Sequence, residues 1–352
     1  MKISTVIGTR PEIIKMSLLI PLLDKRYDHS LIYSGQHFSP NMKEIFFDDL
    51  AIRKPNYNLN SHSSNYSKLI EEIQPCLEDI EPSYVIAYGD TNSTVAGAVM
   101  AKRTGSKLVH LEAGLRSFDI RMVEEKNRTY VDSISDYLLA PTDLAKSFLM
   151  SEGYKNISVT GNPIVDVVLS NLSISLKRRT REGIDLDGEF LLATLHRQEN
   201  VDNPYVLNAF TKHLESVDKQ VVFPVHPRTK NRLTENNIQL PKNVKMVDAL
   251  GFLDFINLLY HSSLVLTDSG GIQEEAITLK KPCITLREST ERWETILLGV
   301  NRLFPLIDNQ KSLGKEVEEM QDGCKHIRNL ANPYGDVGVS EKIAETLKGI
   351  FE

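Results

Sequence analysis

The chain has 352 residues, 41% hydrophobic and 25% charged; at roughly 150 residues per domain that length predicts about two domains with sizeable cores. Its 41 Lys and Arg against 47 Asp and Glu give a net charge of -6, which excludes the basic excess of a general binder of nucleic acid or anionic membrane. Cys76, Cys283 and Cys324 stand far apart with no C-x-x-C pair, so a disulfide framework or cysteine zinc site is not expected, and a reducing, cytoplasmic setting is. The apolar opening at 1–8 is too brief for a signal peptide, and no run approaches the roughly 18 apolar residues of a membrane span.

Short β-branched, apolar runs alternate with helix-period stretches from end to end. In the first half strands are expected at 2–7, 30–33, 84–88, 107–111, 137–140 and 156–160, with helices at 13–23, 66–77 and 93–103. The second half repeats the pattern, with strands at 190–194, 221–225, 244–247, 264–267 and 283–286 and helices at 204–214 and 272–279. Strands that lack a polar face and are separated by helices mean parallel sheets covered on both sides. The expected fold is therefore α/β, with two doubly wound Rossmann-like domains facing across a cleft. The first spans 1–165 and the second 166–337, and the last helical pattern, 338–352, is free to pack on the first. The polar stretch Lys177-Arg178-Arg179-Thr180-Arg181-Glu182-Gly183 reads as a solvated linker in so acidic a chain.

Ligands of open parallel sheets bind beyond the carboxyl ends of the strands, where strand order reverses. Polar residues just after strands are thus the candidates. Gly8-Thr9-Arg10-Pro11-Glu12-Ile13-Ile14-Lys15 joins a tight turn to a proline suited to a helix start. It places Arg10 at a helix N-terminus, where anions bind, and Lys15 one turn on. Gly89-Asp90-Thr91 follows another strand, with Asp90 either a helix cap or an acid/base group. In His110-Leu111-Glu112-Ala113-Gly114-Leu115-Arg116, Glu112 ends a buried strand and needs a partner or a task. Glu124 opens the next helix; it either pairs with Arg128 four residues on or brings a third carboxylate towards Asp90 and Glu112. Carboxylates in environments that push their pKa values apart serve as general acid and base.

In the second half His196-Arg197 and His226-Pro227-Arg228 each follow a strand and suggest a basic pocket for phosphate. Asp268-Ser269-Gly270-Gly271, between a strand and a helix, has the form of an anion cradle, and Glu275 one turn inside that helix suits a ribose diol. Arg287 and Arg292 add positive charge. The chain has no G-x-G-x-x-G, P-loop or H-E-x-x-H motif, so no dinucleotide cofactor and no metal is expected. The pocket reads as one for a nucleotide diphosphate.

Taken in order, the runs Gly8 to Lys15, Gly89 to Thr91, His110 to Arg116, Glu124 to Arg128, His196-Arg197, His226 to Arg228 and Asp268 to Glu275 resemble those of the non-hydrolysing UDP-N-acetylglucosamine 2-epimerases. The resemblance covers nearly the whole chain. It implies a GT-B type fold, an active site between the domains, a homodimer and no cofactor. It also implies the chemistry: UDP leaves C1 as the C2 proton is removed, giving 2-acetamidoglucal, and then adds back while a proton reaches the other face. Position by position, Asp90, Glu112 and Glu124 look like the acid/base carboxylates. Arg10, His196, Ser269, Gly270 and Gly271 resemble the diphosphate site, His196 standing with the catalytic group as well. Glu275 matches the ribose contact, Phe255 the residue packing near uracil, and Lys15 and Arg292 supporting charges. Phe255 also suits the core, at helical spacing with Phe252 and Leu259.

The chain departs from the family pattern at Val123 and at Trp293, where many members carry proline. Bacterial members activated by their own substrate have a second polar site. There Gln36 matches but Ser39 and Ser64-Asn65-Tyr66 do not, so such activation is expected to be weak or absent. The expected function is interconversion of UDP-N-acetylglucosamine and UDP-N-acetylmannosamine for polysaccharide or glycan synthesis. The alternatives are the epimerase of UDP-2,3-diacetamido-2,3-dideoxyglucuronate and a GT-B glycosyltransferase, which shares the architecture.

Overall fold

The computed structural model describes residues 1–36, 50, 52–178, 180, 184, 188–307 and 309–352. Ser39, Arg179, Arg181, Glu182 and Gly183, which entered the sequence reading, lie outside the described residues. The chain divides into two compact units, Met1–Val167 with Pro333–Glu352, and Val168–Asn332.

The first unit is built on a parallel sheet ordered β3-β2-β1-β4-β5-β6-β7. Its strands are β1 (Lys2–Ile7), β2 (Asp28–Tyr33), β3 (Tyr57–Asn58), β4 (Tyr84–Tyr88), β5 (Lys107–Leu111), β6 (Tyr137–Ala140) and β7 (Ile157–Val159). The intervening helices are α1 (Arg10–Met16), α2 (Leu19–Asp24), α3 (Tyr66–Ile80), α4 (Asn92–Arg103), α5 (Val123–Ile134) and α6 (Asp143–Ser151); α7 (Ile164–Ser175) runs on into the second unit. Leu69, Ile73 and Leu77 of α3 and Ala96 and Met100 of α4 pack on Val85 and Leu108 of the sheet in one buried cluster. The stretch expected as one helix at 13–23 is two. Pro21 has no N–H to give the carbonyl of Ser17, and its ring would strike that carbonyl, so the helix stops at Met16 and restarts at Leu19. The two-residue β3 is too short to leave a periodic signal.

The C-terminal helix, Val339–Phe351, belongs to this unit. Phe351 packs on the rings of Tyr27 and Tyr84, with centroids 5.3 and 4.3 Å away, and Arg26 pairs with Glu345 at 2.5 Å. Residues 333–337, read from sequence as the end of the second domain, join the first unit too: Asn162 N donates to Tyr334 O at 2.9 Å, and Gly338 N to Asp166 Oδ1 at 2.7 Å.

The second unit has a parallel sheet ordered β10-β9-β8-β11-β12-β13. Its strands are β8 (Phe190–Thr194), β9 (Gln220–Val225), β10 (Val244–Asp248), β11 (Leu264–Thr267), β12 (Cys283–Thr285) and β13 (Asn301–Leu303). Helices α8 (Gln198–Val201), α9 (Pro204–Glu215), α10 (Pro227–Glu235), α11 (Phe252–His261), α12 (Gly270–Thr278), α13 (Trp293–Leu297) and α14 (Leu313–Gly323) cover it. Strands β8 and β11 are buried at every residue, as central strands covered on both faces must be. Arg178 and Thr180 of the polar stretch are not free in solvent: both donate to Asp254 of α11, at 2.9 and 2.5 Å. Among the described residues no helix is long and apolar enough to cross a membrane.

Candidate active site

Strand order reverses between β1 and β4 in the first sheet and between β8 and β11 in the second. Ligands of such sheets collect beyond the strand ends at those reversals; Arg10 and Asp90 follow β1 and β4 there, His196 and Ser269 follow β8 and β11, and Glu112, Phe255 and Arg292 come after strands further out.

In the first unit the β1 and β4 turns are tied together by Glu12. Its Oε2 accepts from the N–H of Gly8 (2.8 Å) and Thr9 (2.6 Å) and from Thr9 Oγ1 (2.9 Å). Its Oε1 accepts from Thr91 Oγ1 and Thr94 Oγ1, at 3.0 and 3.1 Å. Burial pushes the Glu12 carboxyl above its ordinary range, although the donors at Gly8, Thr9 and Thr91 oppose the shift. Residue 8 must be glycine because a Cβ there would lie 2.1 Å from Ser93 Oγ and 2.6 Å from Ser34 Oγ. Arg10 stands exposed at the first residue of α1, while Lys15 is buried on the same helix.

Lys15 reaches Glu112. Its Nζ donates to Glu112 Oε2 at 2.5 Å, and the same oxygen accepts from Tyr88 Oη and Asn162 Nδ2, each at 2.8 Å. Glu112 sits just past β5 at φ 67, in the left-handed region that a residue with a Cβ rarely adopts. Asp90 follows the neighbouring strand, since β4 and β5 pair through Tyr88 and Leu111. Arg128 Nη2 donates to Asp90 Oδ2, and Arg128 Nη1 donates to Glu125 Oε2 at 2.7 Å. Asp90 and Glu125 are thus partners of a fully buried guanidinium, beyond the Glu124 that helical spacing offers. Glu125 in turn accepts from Ser117 N and Oγ (2.9 Å each) and Phe118 N (3.0 Å), which makes it a loop anchor. Glu124 lies half-buried in the first turn of α5. Gln36 is engaged: its Oε1 accepts from Ser93 N and Oγ at 2.9 Å.

In the second unit Asp268, wholly buried after β11, organises the turn after β8. It accepts from Arg197 N (2.9 Å), Asn200 Nδ2 (3.1 Å) and His196 N, and His196 Nδ1 lies 3.0 Å from its Oδ1. Burial alone would raise the Asp268 carboxyl; the His196 ring and these donors outweigh it and hold the group well below the usual carboxylate range. With Nδ1 against Asp268, the other ring nitrogen of His196 is the one turned outward on a half-exposed side chain. Ser269 precedes α12, and Gly270 and Gly271 open it. A Cβ on Gly270 would lie 2.3 Å from Glu291 Oε1, whereas one on Gly271 meets nothing within 4 Å.

Arg292 is buried among carboxylates, with Nε 2.5 Å from Glu274 Oε1 and Nη1 3.4 Å from Glu291 Oε1. Arg287 holds the other Glu291 oxygen at 3.0 Å. Phe255 is buried on α11, as are Phe252 and Leu259, and Glu275 lies buried on α12. Arg228 pairs with Asp202, and Arg197 donates to the Asp268 carbonyl at 2.9 Å and to Glu199. These two arginines are thus structural neighbours of the turns they follow.

The family model described as UDP-N-acetylglucosamine 2-epimerase matches residues 23–348. A UDP-N-acetylglucosamine 2-epimerase of Methanocaldococcus jannaschii is 43% identical, with 99% of each chain covered. A UDP-2,3-diacetamido-2,3-dideoxy-D-glucuronate 2-epimerase of Pseudomonas aeruginosa is 38% identical, again over 99% of each. The solved M. jannaschii enzyme in complex with UDP-GlcNAc and UDP superposes with TM-score 0.90 at 43% identity, covering 99% of this chain and 100% of that one.

The chain belongs to the UDP-N-acetylglucosamine 2-epimerase family. Its fold is accordingly of the GT-B type, α/β with two Rossmann-like units. In this epimerase-family chain several residues that shape the site escaped the sequence reading. Asp268 and Glu12 stood inside quoted motifs but were given no task, because a carboxylate that takes up backbone N–H groups looks like any turn residue. Tyr88 and Asn162 left no signal at all: they meet Glu112 across 24 and 50 residues of chain.

Proposed function

We propose that the chain is a non-hydrolysing UDP-N-acetylglucosamine 2-epimerase, an isomerase that interconverts UDP-N-acetylglucosamine and UDP-N-acetylmannosamine. The observation that carries this reading is the pair of polar-mounted carboxylates, Asp90 and Glu112, beyond adjacent strands of a chain with a full-length family match. The C2 proton of the sugar is not next to a carbonyl and is too weakly acidic to leave alone. One carboxylate takes it as the C1–O bond to UDP breaks, and the C–H electrons become the C1–C2 double bond of 2-acetamidoglucal. A second carboxyl group then protonates the opposite face of C2 while a UDP oxygen re-forms the bond to C1.

Three donors on Glu112 Oε2 fix its direction, and Arg128 does the same for Asp90. Glu124 is the third carboxylate of the set. In the second unit Ser269, its own N–H held by Thr267 Oγ1 at 3.0 Å, leads into Gly270 and Gly271, whose backbone N–H groups at the helix start serve the departing diphosphate, and His196 adds a polar ring. Arg10 and Lys15 supply charge from α1, Glu275 takes the ribose and Phe255 packs near uracil. Arg292 acts from below, through Glu291, on the shape of the glycine turn. The reading includes a cytoplasmic homodimer serving glycan synthesis, and the buried free thiols of Cys76, Cys283 and Cys324 accord with a reducing compartment. The uronate substrate of the Pseudomonas relative is the second reading, supported by that similarity.

Incubation of the protein in D2O with each UDP-sugar, followed by NMR, tests this. Deuterium at C2 and a mannosamine anomeric signal are expected from UDP-N-acetylglucosamine. An intact C2–H with UDP released only when an acceptor is present would instead make the protein a transferase.

A further inference from the structure

We infer that His110, Asp132 and Arg116 form a positioning array that fixes the Gly89–Asp90 peptide, and so the Asp90 carboxylate, for proton transfer at C2; this rests on the epimerase reading above. His110 is a fully buried residue of β5, two positions before Glu112. Its Nε2 lies 2.7 Å from Gly89 O. A carbonyl oxygen only accepts, so Nε2 carries a hydrogen and donates it. Its Nδ1 lies 2.6 Å from Asp132 Oδ1. The other Asp132 oxygen faces Arg116 Nη1 at 2.7 Å and accepts from Gly114 N at 3.3 Å. Arg116 is itself braced by both oxygens of Glu152, at 2.8 and 2.6 Å. Burial alone would raise the Asp132 carboxyl, but the His110 ring and the Arg116 guanidinium hold it below the ordinary range.

Filling the same space with apolar side chains would avoid desolvating this many polar groups, so the array calls for a reason beyond packing. The reason lies in where it ends. Gly89 adopts φ 68, a turn conformation that leaves the next peptide free to tilt unless something holds it. Helix α5 holds it at three points. Arg128 takes the Asp90 carboxylate, Asn127 Nδ2 donates to Asp90 O at 2.8 Å, and Asp132 acts through His110 on the carbonyl just before Asp90. Glu124 rides on the first turn of the same helix. Asp90 is therefore held by the helix that carries Glu124.

His110→Asn and His110→Gln separate the two ends of the ring. The asparagine amide reaches the place of Nδ1, towards Asp132, while the glutamine amide reaches the place of Nε2, towards Gly89 O. His110→Asn is expected to lower kcat on the order of 100-fold, the scale of a misplaced reacting group. KM and the UDP dissociation constant should stay within about threefold, and the isotope effect with C2-deuterated substrate should rise. His110→Gln should recover most of kcat. Asp132→Asn, which keeps the volume and removes the charge behind the ring, gives the same split if the asparagine variant at 110 does not fold. Equal losses in both His110 variants would overturn the array, as would a loss carried by KM, or one that vanishes when rates are normalised to UDP-binding sites. Wild-type protein that leaves the C2–H intact would overturn the epimerase reading itself, and the array with it.

Discussion

Gly270 and Gly271 stand side by side at the start of α12, and a methyl group tells them apart. On Gly270 it would strike Glu291 Oε1, and Glu291 has no room to retreat because Arg287 and Arg292 hold its two oxygens. Gly270→Ala should therefore lower stability by about 1–3 kcal/mol, the range of an overpacked site, and weaken UDP binding as well. On Gly271 the methyl meets open space, so Gly271→Ala should leave the melting temperature unchanged or slightly higher, alanine being the better helix former. If the diphosphate sits against that turn, the same variant should still weaken UDP by about tenfold, the effect of spoiling a charge-assisted hydrogen bond or two. Thermal melts and UDP titrations on the two variants check both statements. The sequence marked this turn because glycines between a strand and a helix are a local signature. It did not reveal that the first glycine answers to a protein carboxylate 21 positions further along the chain.

At the level of elements, α5 does more than its amphipathic pattern suggests. Spacing along the helix offered Glu124 to Arg128, and the fold adds Glu125 and Asp90, 38 residues upstream, as partners. A periodic pattern says which residues share a face, and the neighbouring strand turn decides which of them finds a partner. Arg128→Met should cost about 3 kcal/mol, since removing one member of a buried pair strands the other charge. Adding Glu125→Gln should restore part of that loss, because the amide no longer carries the uncompensated charge, although the donors at Ser117 and Phe118 lose an anion. Chemical denaturation of the wild type, the two single variants and the double variant measures the coupling. The split of the stretch at 13–23 into α1 and α2 was readable in principle from Pro21; the two-residue β3 was not, being too short for periodicity.

For the whole molecule, both units lean on aspartates whose folded form favours the anion. Burial would raise Asp24, but His29 and Arg53 bring it down to about 2, while Asp132 and Asp268 are likewise lowered by their own partners. An unfolded aspartate titrates near about 3.9, so above that pH their stabilisation is complete. Below it the unfolded chain takes up protons first, and stability falls as the pH drops towards the folded values. The aspartates' share of the melting temperature should be flat above about pH 5 and fall steeply between about pH 4 and pH 2, while the raised Glu12 carboxyl works the other way, costing stability as the pH rises through its folded value. Asp24→Asn should show a shallower fall across that window, its share of the loss already taken, and melts in a pH series decide it. The alternation of apolar strands with helices was enough to determine two parallel α/β units, and the residue types after the strands were enough to mark where an anionic ligand and acid/base carboxylates are expected, because both are local consequences of period and of where a strand ends. Only the tertiary structure decided that Glu112 answers to Lys15, Tyr88 and Asn162, that Asp268 governs His196, and that Arg292 lies among carboxylates. Those partnerships join residues far apart in the chain, and charge pairing acts through distance in space, which the order of residues does not encode.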